Sequence, residues 1–285
     1  MSALSIIMPV RNRENLLLEA VESIRNGGLE DYHLIIVDDA STDTTRDAIR
    51  KLLPDTKITT LFLPKQVGPG PARNAGLELA GIGPTSSSAY TQDWILFMDS
   101  DDLILPGTLA KLNLDVDADI IQLPNNTVDD GKRRYPLREN QHLLIQNPHI
   151  PASGQAQGRE KATSEAASVP GPRAGAEPPF FLTTAWAHLY RLSFLKANHL
   201  RFPALDFSED VVFNLGAYRL AERIVQSQVP IYEYRLRHAP DSINSQTDAQ
   251  LLKTRKQEAI AAVQNLPDPG FLSWAKQDRL RAWSA

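Results

Sequence analysis

From the amino terminus to about residue 98, short β-rich apolar runs alternate with stretches of helical spacing. That alternation commits the chain to an α/β fold with a mostly parallel, Rossmann-like sheet flanked by helices, because parallel strands need crossovers long enough to hold a helix. Strands are expected at residues 4–10, 33–37, 58–63, 94–98 and 119–123. The first helix is expected over residues 15–26, with Leu16, Leu17, Ala20, Val21 and Ile24 on one face and Gly27-Gly28 ending it. A second helix runs to about Leu53, with Ser41 or Thr42 as its cap and Asp43 in its first turn, and a third covers residues 71–80. Three strands end in polar residues at one edge. Ligands of open α/β sheets bind beyond the strands' carboxyl ends, so Arg11, Asp39 and Asp99 should converge on one crevice.

The sharpest chemical signal is residues 94–102, where the apolar run Trp-Ile-Leu-Phe-Met is cut off by Asp-Ser-Asp-Asp. Clustered carboxylates at a buried strand's end need a cation or hydrogen-bond donors to neutralise them. Asp99 and Asp101 are spaced to offer oxygens to one hard cation, Mg²⁺ or Mn²⁺, with phosphates completing the shell. The alternative is a solvated Asp-rich turn, with Pro106 and Gly107, that caps a following helix.

Residues 66–76 form a glycine-rich turn running into a helix start. Its exposed amides and Arg73 can hold a phosphate or nucleotide, or Arg73 simply pairs with an aspartate. Neither the Walker spacing nor the dinucleotide fingerprint is present. Residues 151–179, rich in Pro, Gly, Ala and Ser, read as a mobile loop, either a lid or a variable insertion. Glu209 and Asp210 follow Ser208 at the start of an apolar helical pattern. They suit a helix amino terminus capped by Ser208, and a carboxylate there can also serve as a base for an attacking hydroxyl. His238 is a candidate ligand for a cation or phosphate, or a structural histidine.

A chain of 285 residues, 42% hydrophobic and 22% charged, has material for a large soluble domain, and its net charge of −4 gives no basic face for nucleic acid. The absence of cysteine excludes disulfides, thiolate zinc sites and thiol catalysis. No signal peptide and no long apolar span is recognisable, so a cytoplasmic location is expected. Beyond residue 246 the helical spacing of Leu251, Leu252, Ile260, Val263, Phe271, Leu272, Trp274 and Trp283 marks a helical extension. Its apolar faces can pack on the domain, pair subunits in a homo-oligomer or rest peripherally on a membrane carrying a lipid-linked acceptor, where Lys253, Arg255, Lys256, Lys276, Arg279 and Arg281 suit an anionic leaflet.

Five motifs in order carry a resemblance: Ser5-Ile-Ile-Met-Pro-Val-Arg-Asn-Arg, Ile36-Val-Asp-Asp-Ala-Ser-Thr-Asp, Gly70-Pro-Ala-Arg-Asn-Ala-Gly, Phe97-Met-Asp-Ser-Asp-Asp and Ser208-Glu-Asp. Together they resemble family-two glycosyltransferases, including bacterial capsule and lipopolysaccharide enzymes, well over residues 4–125 and moderately over 182–245. The resemblance implies a GT-A fold, a nucleotide-sugar donor (commonly a UDP-sugar), Mn²⁺ or Mg²⁺, and inversion at the anomeric carbon. It implies a domain over residues 1–245, with a nucleotide-sugar half in 1–125 and an acceptor half in 180–245, followed by the extension 246–285. By the same resemblance Pro9, Val10 and Arg11 line the base and ribose pocket, Asp39 bonds the base and Arg73 contacts the nucleotide. Asp99 and Ser100 face ribose or metal, Asp101 ligates the cation, Asp210 is the catalytic base and Glu209 its helper or an acceptor ligand. Trp186 packs near a saccharide or lipid-linked acceptor, and His238 with Ser242 reaches the diphosphate or metal. Two other readings stand beside it: a nucleotide- or partner-binding module without transfer, and a nucleotidyltransferase, which usually carries glycines after the first strand where this chain has Pro9-Val10-Arg11-Asn12.

Overall fold

The computed structural model describes residues 4–82, 93–129, 133–136, 145–146, 184–236 and 249–266. The expected loop at 151–179, the candidate ligand His238 with Ser242, and the second tail helix around Phe271 and Trp283 lie outside the described residues.

In chain order the elements are β1 (Leu4–Val10), α1 (Glu14–Arg25), β2 (Tyr32–Asp38), α2 (Thr45–Leu52), β3 (Ile58–Phe62), α3 (Pro69–Leu77) and β4 (Trp94–Phe97). Then follow β5 (Leu103–Ile104), β6 (Ile120–Gln122), β7 (Asn125–Asp129), β8 (Arg133–Pro136), β9 (Ile145–Gln146), β10 (His188–Arg191) and α4 (Leu192–Ala197). The last described are α5 (Glu209–Leu220), β11 (Arg223–Gln226), β12 (Tyr232–Leu236) and α6 (Ala249–Asn265). The main sheet has the order β3-β2-β1-β4-β10-β6-β11-β9, and a second sheet has the order β5-β12-β7-β8. β1 pairs in parallel with both β2 and β4, whereas β10 runs antiparallel to β4 and β6.

Period-two alternation splits the side chains between two cores. Leu4, Ile6 and Met8 of β1, with Leu34, Ile36, Trp94 and Leu96, face Leu17, Ala20, Val21 and Ile24 of α1 and Ile49 of α2. Ile7, Ile35, Val37, Ile95 and Phe97 face the other way, onto Ala72 and Leu77 of α3 and Phe213 and Ala217 of α5. The central strands are therefore buried on both faces, which is why they read as continuous apolar runs. Burying each large apolar side chain contributes about 1.5–3 kcal/mol, so the strand ends that carry the site stand on a stiff support.

Three local expectations change. α2 starts at Thr45, with Thr44 before it and no side-chain cap, so neither Ser41 nor Thr42 caps it. Asp43 lies ahead of the helix and accepts the Thr45 amide at 3.0 Å. Ser208 likewise gives α5 no side-chain cap, because its left-handed backbone (φ 57°) does not present the hydroxyl to the first turn. The Asp cluster leads into the short strand β5 and a 3-10 turn at Leu109–Lys111, so it does not cap a following helix.

Candidate functional site

The order β3-β2-β1-β4 makes β1 the place where the chain reverses its direction of growth across the sheet. A crevice opens at such a point, beyond the carboxyl ends of the two strands on either side. Val10 is buried and Pro9 partly so at the end of β1, and Arg11 follows. One Arg11 nitrogen donates at 2.9 Å to the carbonyls of both Asp39 and Ala40, which ties the ends of β1 and β2 together. The Asp39 carboxylate accepts the amides of Val67 (2.7 Å) and Gly68 (2.9 Å) at the entry to α3. These two amides, expected to face a ligand, are thus held by Asp39. A carboxylate has lone pairs to spare after two such bonds, so Asp39 keeps capacity for a further donor.

The glycines of the 66–76 segment serve close packing. A Cβ on Gly76 would stand 2.4 Å from Ile7 Cγ2, and one on Gly70 would meet the Pro203 carbonyl at 2.9 Å and Glu209 Cγ at 3.0 Å. Asn74 adds a reciprocal pair: its Nδ2 donates to the Phe202 carbonyl and its Oδ1 accepts the Phe202 amide, both at 2.9 Å. α3 is thereby seated on β1 and clasped to the segment leading into α5. Arg73, only 5% exposed, then reaches both sides of the crevice. Its Nη2 donates to Asp99 Oδ1 and its Nη1 to Glu209 Oε1, each at 2.6 Å. Burial lowers the guanidinium's pKa, but Asp99 and Glu209 outweigh it and the net shift is upward. The structure therefore gives Arg73 the ion-pair reading, with a second acid in addition to the aspartate.

After β4, the acid loop is braced from β12. Tyr232, fully buried, accepts the Asp99 amide at 3.0 Å and donates its hydroxyl to Asp102 Oδ2 at 2.7 Å. The Arg235 amide donates to Asp102 Oδ1 at 2.8 Å, and the Arg235 side chain holds the Asp101 carbonyl and Glu19 of α1. Asp102 is 1% exposed, and burial, then Asp99 and Asp101, push its pKa well above the usual carboxylate range. Ser100 is buried, whereas Asp99 and Asp101 remain partly open to solvent. Trp186 is 7% exposed and stacks on Tyr232 (4.7 Å between ring centroids) and Tyr234 (5.1 Å). Its ring supports β12 behind the acids instead of offering an open face to an acceptor.

Asp210 occupies the first turn of α5, where its Oδ1 accepts the Val211 amide at 2.8 Å. Part of its surface stays open, yet protein packs densely around the carboxyl. Burial, followed by the charge of Glu209, raises its pKa to about 7, against the opposing pull of Arg73. Asp99 also raises it, and the half-buried Tyr234 feels Asp102, Asp99, Asp101 and Asp210 together. The strand-end acids and the helix-start acids therefore share one electrostatic neighbourhood. Among the described residues no group of three or more His, Asp or Glu side chains forms a ready-made metal cage. Tyr232, Arg235 and Asn74 were not singled out from sequence. For the first two, the alternation of Tyr232 and Tyr234 with Glu233 and Arg235 was the available signal.

Residues 5–165 match the sequence profile of glycosyl transferase family 2. The chain belongs to that family. An uncharacterized glycosyltransferase of Haemophilus influenzae is 38% identical over 112 residues, 39% of this chain and 41% of that protein. The putative glycosyltransferase EpsH of Bacillus subtilis is 27% identical over 241 residues, 82% of this chain and 61% of that protein. The chain thus spans less than two thirds of these relatives' length, 41% of one and 61% of the other. Among solved structures, Staphylococcus aureus TarS 1–349 in complex with UDP-GlcNAc superimposes with a TM-score of 0.63 at 20% identity, covering 99% of this chain and 71% of that one. This likeness shows the fold, and it is the GT-A fold that family 2 membership implies.

Proposed function

We propose that this family 2 chain is an inverting glycosyltransferase that moves a sugar from a nucleotide-sugar, a UDP-sugar by the analogy of TarS, to a hydroxyl of a saccharide or lipid-linked acceptor in cell-surface polysaccharide synthesis. The observation that carries this reading is the Arg73 bridge. One guanidinium joins Asp99, at the end of β4, to Glu209, at the start of α5, and so fixes the donor-side acids relative to Asp210.

In this reading Asp39, Pro9, Val10 and Arg11 bound the base and ribose pocket beside the end of β1. Asp210 takes the proton from the acceptor hydroxyl on the face opposite the leaving group, which gives inversion. A carboxyl with a pKa near 7 suits that task, since half of it is ionised near neutrality while it stays basic enough to hold the proton. The donor set fits Mn²⁺ or Mg²⁺: Asp99 and Asp101 supply hard oxygens, and such ions take only one or two carboxylates when phosphates fill the remaining positions. A bound cation there supplies charge stabilisation to the departing diphosphate. Among the described residues, Asp99, Asp101, Glu209 and Asp210 share this neighbourhood with Arg73, which pairs with only two of them, so acid is in excess there.

We further assign residues 1–245 to the transferase domain and 246–285 to a helical extension, whose α6 packs on the domain through the buried Ala259 and Val263. No described helix is long and apolar enough to cross a membrane; action from the cytoplasmic side, with peripheral contact through the basic extension, belongs to the same proposal. Incubation with UDP-sugars and Mn²⁺ tests it. Slow release of UDP, accelerated by a saccharide acceptor, is expected, whereas saturable UDP binding without turnover of any nucleotide-sugar would mark a binding module.

A further inference from the structure

Asp210, Asn214 and Tyr218 recur every fourth residue along α5 and therefore share one face of the helix. That face packs on β10, where His188 and Tyr190, two residues apart, point to the same side of the sheet. The Tyr190 hydroxyl donates to Asn214 Oδ1, and the Tyr218 hydroxyl bonds His188 Nε2. His188 Nδ1 lies 3.0 Å from the Thr184 carbonyl. Because a carbonyl only accepts, Nδ1 carries the proton, Nε2 accepts and the Tyr218 hydroxyl donates. All four side chains are at most 1% exposed; Phe97 and Phe213 pack against the Tyr190 ring, and the His188 ring lies against those of Tyr190 and Tyr218. Burial holds the His188 pKa at about 3, so the ring stays neutral.

We propose that this polar seam, Tyr190–Asn214 and His188–Tyr218, is a positioning device that fixes the rotation and height of α5 on the sheet and thereby aims the carboxylate of Asp210 at the acceptor hydroxyl. The proposal rests on Asp210 being the base. An apolar interface tolerates a helix that turns or slides by a fraction of a residue, because burial is non-directional. Two directional bonds one turn apart do not, since any such movement pulls both of them out of alignment inside a buried interface. Asn214 and Tyr218 stand one and two turns beyond Asp210, so the bond nearer the base exerts the tighter control. Tyr190 is also close enough to Asp210 and Arg73 to feel both charges.

The test compares Tyr190→Phe with Tyr218→Phe, each of which removes one oxygen, in the full chain with a UDP-sugar donor and a hydroxyl acceptor. Transfer kcat per folded molecule, donor KM and melting temperature are measured for both. Positioning predicts a kcat loss of about 10-fold for Tyr190→Phe and about 3-fold for Tyr218→Phe, with donor KM unchanged within about 2-fold, since misplacing a reacting group lowers the rate without weakening binding elsewhere. Asn214→Ser, which keeps a short acceptor for Tyr190, is expected to recover part of the rate relative to Asn214→Ala and replaces Tyr190→Phe if that variant does not fold. Loss of melting temperature with unchanged kcat, or equal kcat losses for the two tyrosines, overturns the proposal. A wild-type rate that Asp210→Asn leaves intact would instead overturn the assignment of the base, and the seam with it.

Discussion

Asp102 and Asp210 are both carboxyl groups that burial drives up in pKa, yet their surroundings differ. Asp102 is 1% exposed, with one oxygen on the Tyr232 hydroxyl and the other on the Arg235 amide, so it holds β12 to the acid loop and is closed to any ligand. Asp210 has one bond within its own helix turn and keeps part of its surface open to solvent. A raised pKa marks enclosure; only where the carboxyl also stays accessible can the group handle a substrate proton.

The contrast is broken most forcefully at Asp210. Asp210→Asn should lower transfer at least about 10²-fold while leaving UDP affinity nearly intact, as removal of a general base does; steady-state rates and calorimetric titration with UDP separate the two. The stability sign is opposite. With its folded pKa above the unfolded value of 3.8, Asp210 binds more protons in the folded state between that value and about 7, so stability falls as pH rises through this window. Asp210→Asn should therefore melt higher than wild type at pH 8, by roughly 2–4 °C for each kcal/mol relieved, and gain nothing at pH 4.

Arg73→Gln strikes the link between the two sides. It leaves the buried Glu209 and the partly exposed Asp99 without their shared cation, an effect of about 3 kcal/mol in urea unfolding, the low end for breaking a buried pair because solvent screens Asp99. It also removes the one charge that lowers the Asp210 pKa, so any activity that remains should have its acid limb moved to higher pH. The smallest expected effect is at the sealed acid. Asp102→Ala leaves the Tyr232 hydroxyl and the Arg235 amide unsatisfied, a cost of about 1–3 kcal/mol in thermal melts, without moving that limb.

The same distinction separates what was legible in the sequence from what was not. The parallel strands announced themselves because double-sided burial demands unbroken apolar runs, as in Leu34-Ile-Ile-Val37. The acids at strand and helix ends were legible because carboxylates beside apolar runs require a reason. Partner choice was not legible. Nothing in Gly70 and Gly76 tells a chain reader whether the missing side chains admit a phosphate or a neighbouring element, and here they admit the Pro203 carbonyl, Glu209 and Ile7. Arg73 shows the same limit, since its two partners lie 26 and 136 residues away. Trp186 carried an aromatic signal but no sign of which surface would cover it, and Tyr232 and Tyr234 cover it. Helix caps failed for a local reason: Ser208 is the right residue type in a left-handed backbone that cannot use it.

As the proposed base, Asp210 must lose its proton before the acceptor can be activated. The pH dependence of transfer kcat/KM in the wild-type chain tests it most directly. The predicted profile rises with pH through a limb near 7, falling about tenfold for each pH unit below it. A rate that stays flat from pH 5 to pH 8, in protein shown to remain folded across that range, would contradict it.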